Sequence, residues 1–111
     1  MKDCLFCKMI EGEIPCEKVF ENKEVLGFKD IYPQAKEHYL FINKIHSNNV
    51  NEMEPIHTAQ IFSAIKEFTT SNDLEKDGFR VVTNLGVNGR QSVFHTHFHV
   101  LGGETLGSFG T

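Results

Sequence analysis

Nowhere does the sequence hold an apolar run approaching the roughly 20 residues a membrane helix needs, because charges interrupt every hydrophobic stretch. The opening Met-Lys-Asp-Cys-Leu-Phe-Cys-Lys also lacks the unbroken apolar core of a secretory leader, so no leader and no membrane partner are expected. Positive charge is short too. Eleven Lys and Arg against 15 Asp and Glu give a net charge of −4, which excludes a basic nucleic-acid binder. Cysteine is scarce, and three is an odd number, too few for a disulfide scaffold; a reducing cytoplasm is the expected home. Repeats, low-complexity tracts and linkers are absent. What remains is enough for one domain over residues 1–111, with 40% apolar residues and ten Phe to build its core.

The pattern predicts α+β with a largely antiparallel sheet, in the order α-β-β-β-α-β-β. Asp3 is placed to cap a short helix in which Leu5, Phe6, Met9 and Ile10 share a face, with Gly12 as its stop. Residues 17–21 and 24–29 read as strands about a polar turn, and residues 38–42 as a third. A long helix is predicted over residues 55–72, with Pro55 in its first turn and Ile56, Ala59, Phe62, Ile65 and Phe68 as its apolar stripe, widened by Ile61. Residues 78–84 form a fourth strand, and a Gly-containing loop over 85–92 leads into a fifth over 93–101. Residues 102–111 hold four Gly and read as irregular.

Three of the six His fall at positions 95, 97 and 99. On a strand, this alternation turns all three imidazoles to one face, roughly 6.6–6.8 Å apart at Cα, and sends Phe94, Phe98 and Val100 to the other. A neutral imidazole is a nucleophile near pH 7, and an imidazolium donates strongly to phosphate oxygens, so a row of three can divide those roles. The same row could instead chelate a catalytic metal. The preceding loop favours an anion: Gly86 and Gly89 free backbone N–H groups to turn inward, and Ser92 adds a hydroxyl. No Asp or Glu lies between Asp77 and Glu104.

The segment Gly89-Arg90-Gln91-Ser92-Val93-Phe94-His95-Thr96-His97-Phe98-His99-Val100-Leu101-Gly102-Gly103 resembles the His-φ-His-φ-His-φ-φ signature of the histidine triad (HIT) superfamily. Gln-Ser-Val before the row and Gly-Gly after it resemble the nucleotide-binding protein branch more than the diadenosine polyphosphate hydrolases. Agreement extends through Cys4–Ile10, Glu13-Ile14-Pro15, Phe28-Lys29-Asp30-Ile31, Pro33-Gln34-Ala35 and Lys44-Ile45-His46, covering about residues 3–103 and leaving a divergent tail over 104–111.

The resemblance implies a five-stranded antiparallel sheet with two helices, doubled to ten strands in a homodimer. It implies hydrolysis of a purine nucleoside 5′-phosphoramidate, through a nucleotidyl-histidine intermediate, to an amine and a nucleoside monophosphate. By position, His97 resembles the nucleophile, His99 the phosphate-binding partner and His95 a buttress of the site. Ser92 and Asn84 match phosphate-side positions, with Ser92 near the leaving amine and Gln91 beside it in the nucleotide-binding set. Asp30 resembles the acceptor of ribose hydroxyls, while Phe6 and Ile31 would line the base pocket. No cofactor is required for that chemistry. Alternatives are a dinucleoside polyphosphate hydrolase, a metallohydrolase using the row as ligands, and a nucleotide-binding scaffold without turnover.

Three departures stand out: Arg90 where the branch has Gly, Asn43 where Pro is common, and a tail lacking the Trp-Pro-Pro-Gly ending of animal relatives. The Asn43 change is expected to affect the local turn alone.

Cys4-x-x-Cys7 has metal-ligand spacing but is half a site. It reads as a buried thiol pair, as a redox pair lacking the usual preceding strand, or as half of a structural zinc site. In bacterial-type triad proteins the matching partners are His46 and His95. Cys16, His38 and His57 carry no assigned role.

Overall fold

A computed structural model describes residues 3–109. The chain runs through α1 (Leu5–Ile10), β1 (Lys18–Glu21), β2 (Val25–Lys29), β3 (Glu37–Asn43), α2 (Pro55–Ser71), α3 (Leu74–Asp77), β4 (Phe79–Val82) and β5 (His97–Gly102). The strands form one antiparallel sheet in the order β1-β2-β3-β5-β4, as the α+β reading requires. The one-turn α3 adds a third helix that the residue pattern did not predict; it ends at Gly78, whose φ of +98° suits glycine.

Register decides which side chains reach which layer. Leu26 pairs with Ile42 and Phe28 with Leu40, while Leu40 pairs with His99 and Ile42 with His97. These six residues therefore share one face, and Phe6 of α1 packs onto it beside the four apolar ones. The opposite face presents Val25, Tyr39, Phe41, Phe98 and Val100 to Ile61, Ala64, Ile65 and Phe68 of α2. The histidine strand thus lies between β3 and β4, with its imidazoles in the α1 layer and its apolar residues in the α2 layer.

Local details correct several expectations. The α1 N-cap is Cys4 rather than Asp3: its Sγ accepts the Cys7 backbone N–H at 3.3 Å. Leu5 is turned out to solvent, leaving Phe6 and Cys7 as the buried residues of that helix. On α2 the buried stripe is Ile61, Ala64, Ile65, Phe68 and Thr69. A strict three-residue repeat drifts around a helix of 3.6 residues per turn, so Ile56 and Phe62 end up exposed. Among the described residues, no helix is long and apolar enough to cross a membrane.

The largest correction concerns the histidine row. β5 begins at His97, and residues 93–96 lie outside the strand. Phe94, expected in the core, is 63% exposed. Thr96 explains the break: its backbone N–H donates to Ser47 O at 2.8 Å and its hydroxyl meets Ser47 Oγ at 2.6 Å, so this stretch is stitched to the 44–48 loop rather than to a strand.

Candidate active site

His97 and His99 stand side by side on β5 with ring centroids 5.2 Å apart. His97 is buried against Phe6, edge to face at 5.2 Å, and its Nδ1–H donates to the His95 carbonyl at 2.8 Å. A carbonyl only accepts, so the proton is fixed on Nδ1 and the lone pair lies on Nε2. Burial holds His97 below the ordinary imidazole range, partly opposed by that hydrogen bond and by the charge of Asp30. The result is a neutral, oriented imidazole.

His99 is oriented by His38, a residue the sequence reading had left without a role. The Gln34 backbone N–H donates to His38 Nδ1 at 3.0 Å, so the His38 proton sits on Nε2. That Nε2–H donates to His99 Nδ1 at 2.8 Å, which leaves the His99 proton on Nε2 as a donor. Burial depresses both imidazoles, and His99 falls to about 4, helped by its neighbours His97 and His38. The pair therefore offers one lone pair and one N–H. A nucleophile and a phosphate-oxygen donor need those two groups.

Asp30 lies beside this chain, with Oδ2 3.5 Å from His38 Nε2 and Oδ1 accepting the Tyr32 backbone N–H at 2.8 Å. The ligand atoms of Asp30, His38 and His99 lie within 4.8 Å of one another. Even so, the trio does not suit a metal, because the His38 nitrogen facing the other two already carries its proton. Ile31 follows, 81% exposed.

The loop before β5 is braced from within. Asn84 Nδ2 donates to Gly89 O at 2.7 Å, and Gly89 has no room for a side chain, since a Cβ would sit 2.5 Å from the Leu85 carbonyl oxygen. Arg90 adopts φ +60°, the left-handed region where glycine is at ease, which gives a physical reason for the small residue of the resembled pattern. Gln91 spends its whole amide on backbone: Oε1 accepts Gly86 N–H at 3.0 Å, and Nε2 donates to Asn48 O at 2.6 Å and Val93 O at 3.1 Å. Its effect on any ligand is through the loop's shape. Ser92 is exposed and lines a cleft with His46 and Asn48.

His95 faces away from the other two nucleophilic or donor nitrogens. Its ring also touches Phe6, at 6.0 Å, but it belongs to a cluster with Cys4, Cys7 and His46. His95 Nδ1 is 3.2 Å from Cys4 Sγ, 3.5 Å from Cys7 Sγ and 3.1 Å from His46 Nδ1, and Cys7 Sγ is 3.4 Å from His46 Nδ1. Tetrahedral zinc with ordinary bond lengths sets its ligands roughly 3.3 Å apart for N–N and roughly 3.6 Å for S–N. The tautomers fit as well. His95 Nε2–H donates to Asn43 O at 3.0 Å and His46 Nε2–H to Asn48 Oδ1 at 2.9 Å, so both Nδ1 lone pairs point into the cluster. Two lone pairs at 3.1 Å repel unless a cation lies between them or each accepts a proton from a neighbouring thiol. Without a cation, burial and the neighbouring Cys4 push the Cys7 thiol up to about 11. Asn43 does more here than shape a turn: its amide also holds Gln60 of α2 at 2.9 Å and the Ile45 N–H at 2.9 Å.

Apart from Asn84, Gln91 and Ser92 on the loop before β5, and the exposed Ile31, the sequence-derived site residues separate into two groups. His97, His99 and Asp30, with His38 added, form a polar row beside Phe6; Cys4, Cys7, His46 and His95 form a four-ligand cluster behind it. A single metal held by all three row histidines is not built, because His95 turns its free nitrogen to the cysteines.

Fold and site together define an α+β protein whose histidine-bearing interior strand presents one imidazole lone pair beside one imidazole N–H. The HIT domain matches residues 11–106, and the chain belongs to that family. An uncharacterized HIT-like protein from Helicobacter pylori is 42% identical over 100 residues, covering 90% of this chain and 96% of that one. A HIT family hydrolase from Legionella pneumophila superposes with a TM-score of 0.88 at 40% identity, over 93% of this chain and 95% of that one. A histidine triad nucleotide-binding protein from Candida albicans gives 0.85 at 30% identity, over 98% and 85%.

Proposed function

We propose that this chain is a nucleotide-binding hydrolase that cleaves the P–N bond of purine nucleoside 5′-phosphoramidates. The observation that carries the reading is the pairing of a lone pair on His97 Nε2 with an N–H on His99 Nε2, each fixed by a hydrogen bond to the opposite ring nitrogen. His97 Nε2 attacks phosphorus, the P–N bond breaks, and the leaving amine takes its proton from solvent water; Ser92 is assigned to the leaving-group side by its place in the family pattern. Water then attacks the nucleotidyl-imidazole, returning His97 and releasing the nucleoside monophosphate. His99 and loop N–H groups hold the phosphoryl oxygens. Asp30 retains acceptor capacity for ribose hydroxyls, and Phe6 with exposed Ile31 offers the base apolar contact. The related Legionella hydrolase and Candida nucleotide-binding protein support the same class.

The test is steady-state hydrolysis of adenosine 5′-phosphoramidate with and without EDTA. Turnover is expected to resist EDTA on the timescale of the assay. Faster cleavage of a dinucleoside polyphosphate would shift the substrate class, and binding without turnover of either would leave a scaffold.

The four-ligand cluster is proposed to hold a structural zinc ion, supported by its donor spacing and by the two lone pairs aimed inward. Zinc there would tie the chain's start to the 44–48 loop and to His95, behind the reacting row. A homodimer is proposed as well. β4 pairs with β5 on one side only and carries a partly exposed Phe79, so a second copy could extend the sheet there to ten strands. Light scattering should then give twice the 12.6 kDa chain mass, and the mass of a single chain would refute it.

A further inference from the structure

We propose that Asn48 is a positioning residue that couples the cysteine–histidine cluster to the anion loop. It sits in irregular chain between them and is bonded at three points. Its Oδ1 accepts His46 Nε2–H at 2.9 Å, its Nδ2 donates to Glu52 Oε1 at 3.1 Å, and its backbone carbonyl accepts Gln91 Nε2–H at 2.6 Å. The Glu52 carboxylate only accepts, so the Asn48 amide is oriented with its oxygen toward His46. That orientation fixes the His46 proton on Nε2 and its lone pair toward Cys7 and His95.

From the carbonyl the path continues without a break. Gln91 is held by Asn48 O, and its Oε1 holds the Gly86 N–H, while its second amide hydrogen reaches Val93 O, one residue past Ser92. Gly86 is where the loop turns, at φ +70°, and its carbonyl accepts the Gln91 backbone N–H at 3.0 Å to close the loop. His46 and Ser92 are thus linked through one side chain and one backbone group of Asn48. The cluster reaches the nucleophile by a parallel route, since His95 contributes its ring to the cluster and its carbonyl to His97 Nδ1–H. Asn48 controls the first route and leaves the second intact, which makes it separable by mutation.

The kinetic part of the test rests on the phosphoramidase reading, so a spectroscopic part is set beside it. Uniformly ¹⁵N-labelled wild type, Asn48→Ala, Glu52→Ala and the double variant Asn48→Asp with Glu52→Ala would be compared by long-range ¹H–¹⁵N imidazole spectra and by the Gly86 and Gln91 amide resonances. Asn48→Ala is expected to release the His46 tautomer, shift both amide resonances and lower kcat by about tenfold, in the range of losses seen for outer partners of ligating histidines. KM should change little, because nucleoside binding draws on Asp30 and Phe6, and the loop acts on the phosphoryl oxygens. Asn48→Asp keeps the acceptor but would face the Glu52 carboxylate, so it is combined with Glu52→Ala; the double variant should restore the His46 tautomer, the amide resonances and most of kcat, whereas Glu52→Ala alone frees the Asn48 amide to turn and should weaken the tautomer preference. Unmoved Gly86 and Gln91 resonances in Asn48→Ala, or equal impairment in the double variant, would overturn the coupling. If wild type shows no turnover, the phosphoramidase reading falls, and the resonances alone decide the role of Asn48.

Discussion

Replacing His97 by alanine is expected to lower kcat for adenosine 5′-phosphoramidate by at least about 10³-fold, because the other oriented imidazole lone pairs are engaged elsewhere, that of His95 toward the cysteines and those of His38 and His99 by hydrogen-bond donors. The ring is buried and packs against Phe6, so removing it leaves space as well as removing chemistry. His97→Gln, of closer volume and still polar, separates the two effects: it should fold as wild type does and remain equally inactive. Mass spectrometry of acid-quenched wild type during turnover should reveal a nucleotidyl adduct that neither variant forms. Near-normal turnover by either variant would remove His97 as nucleophile.

The same residues set the pH dependence. Burial depresses His97 and His99, the latter to about 4, so His99 stays neutral in the fold well below pH 6.5 and His97 protonates below its ordinary range. Neutral is the working form of both, His97 for its lone pair and His99 for its acceptor bond from His38. The acid limb of the kcat/KM profile should therefore lie below pH 6.5, with an apparent value belonging to the coupled group and complete loss by about pH 4, where His99 protonates. Stability follows the same sign. The unfolded chain takes up protons near pH 6.5 that the fold refuses, so their contribution is full above that value and erodes as pH falls from 6.5 toward about 4. An acid limb at or above pH 6.5 would show imidazoles more exposed than the buried row described here.

How far such a site can be read from residues alone depends on what holds each part together. The alternation at positions 95, 97 and 99 correctly placed His97 and His99 on one strand face, because period two is a local property of chain geometry. It failed at His95 and Phe94, where the competing force is non-local: Thr96 bonds to Ser47, 49 residues away. His38 was missed for a related reason. Its period-two relation to Leu40 and Ile42 was legible and puts it on their face. That the same face also carries His99 follows only from β3–β5 register, across 61 residues. A register argument from the pattern Tyr39-Leu40-Phe41-Ile42 against Phe98-His99-Val100 would have brought the two imidazoles together. Cys4 shows a third kind of limit. Asp3 is the better cap by propensity, yet the thiol takes the position because cluster geometry holds it there. The four cluster residues themselves were named through family resemblance, and spacing alone had supplied only Cys4 and Cys7.

Stripping metal from the cluster is expected to have the largest effect on stability. A ligand that binds only the folded chain stabilises it by RT ln(1 + [L]/Kd), about 4 kcal/mol when free metal stands at 1,000 Kd. For a chain of this size that corresponds to a melting temperature about 15 °C higher or more. Protein purified without chelator should carry one zinc per chain by elemental analysis and lose that increment in EDTA. Cys7→Ala removes a buried ligand and should melt at the chelated temperature whether or not zinc is supplied. Cys16→Ala is the informative control, since Cys16 packs beside Leu26 and Phe28 outside the cluster and should keep its zinc. The opposing result is equally clear: no bound metal, with identical melts in zinc and in EDTA, would mean the cluster is packed thiol and imidazole. In that case the Cys4 and Cys7 thiols would donate S–H to the His95 and His46 Nδ1 lone pairs, at 3.2 and 3.4 Å. Both Nε2–H groups would keep their bonds to Asn43 O and Asn48 Oδ1. Imidazole ¹⁵N spectra of His46 and His95 distinguish the two states directly, because a metal-bound Nδ1 and a thiol-bonded Nδ1 give different nitrogen shifts.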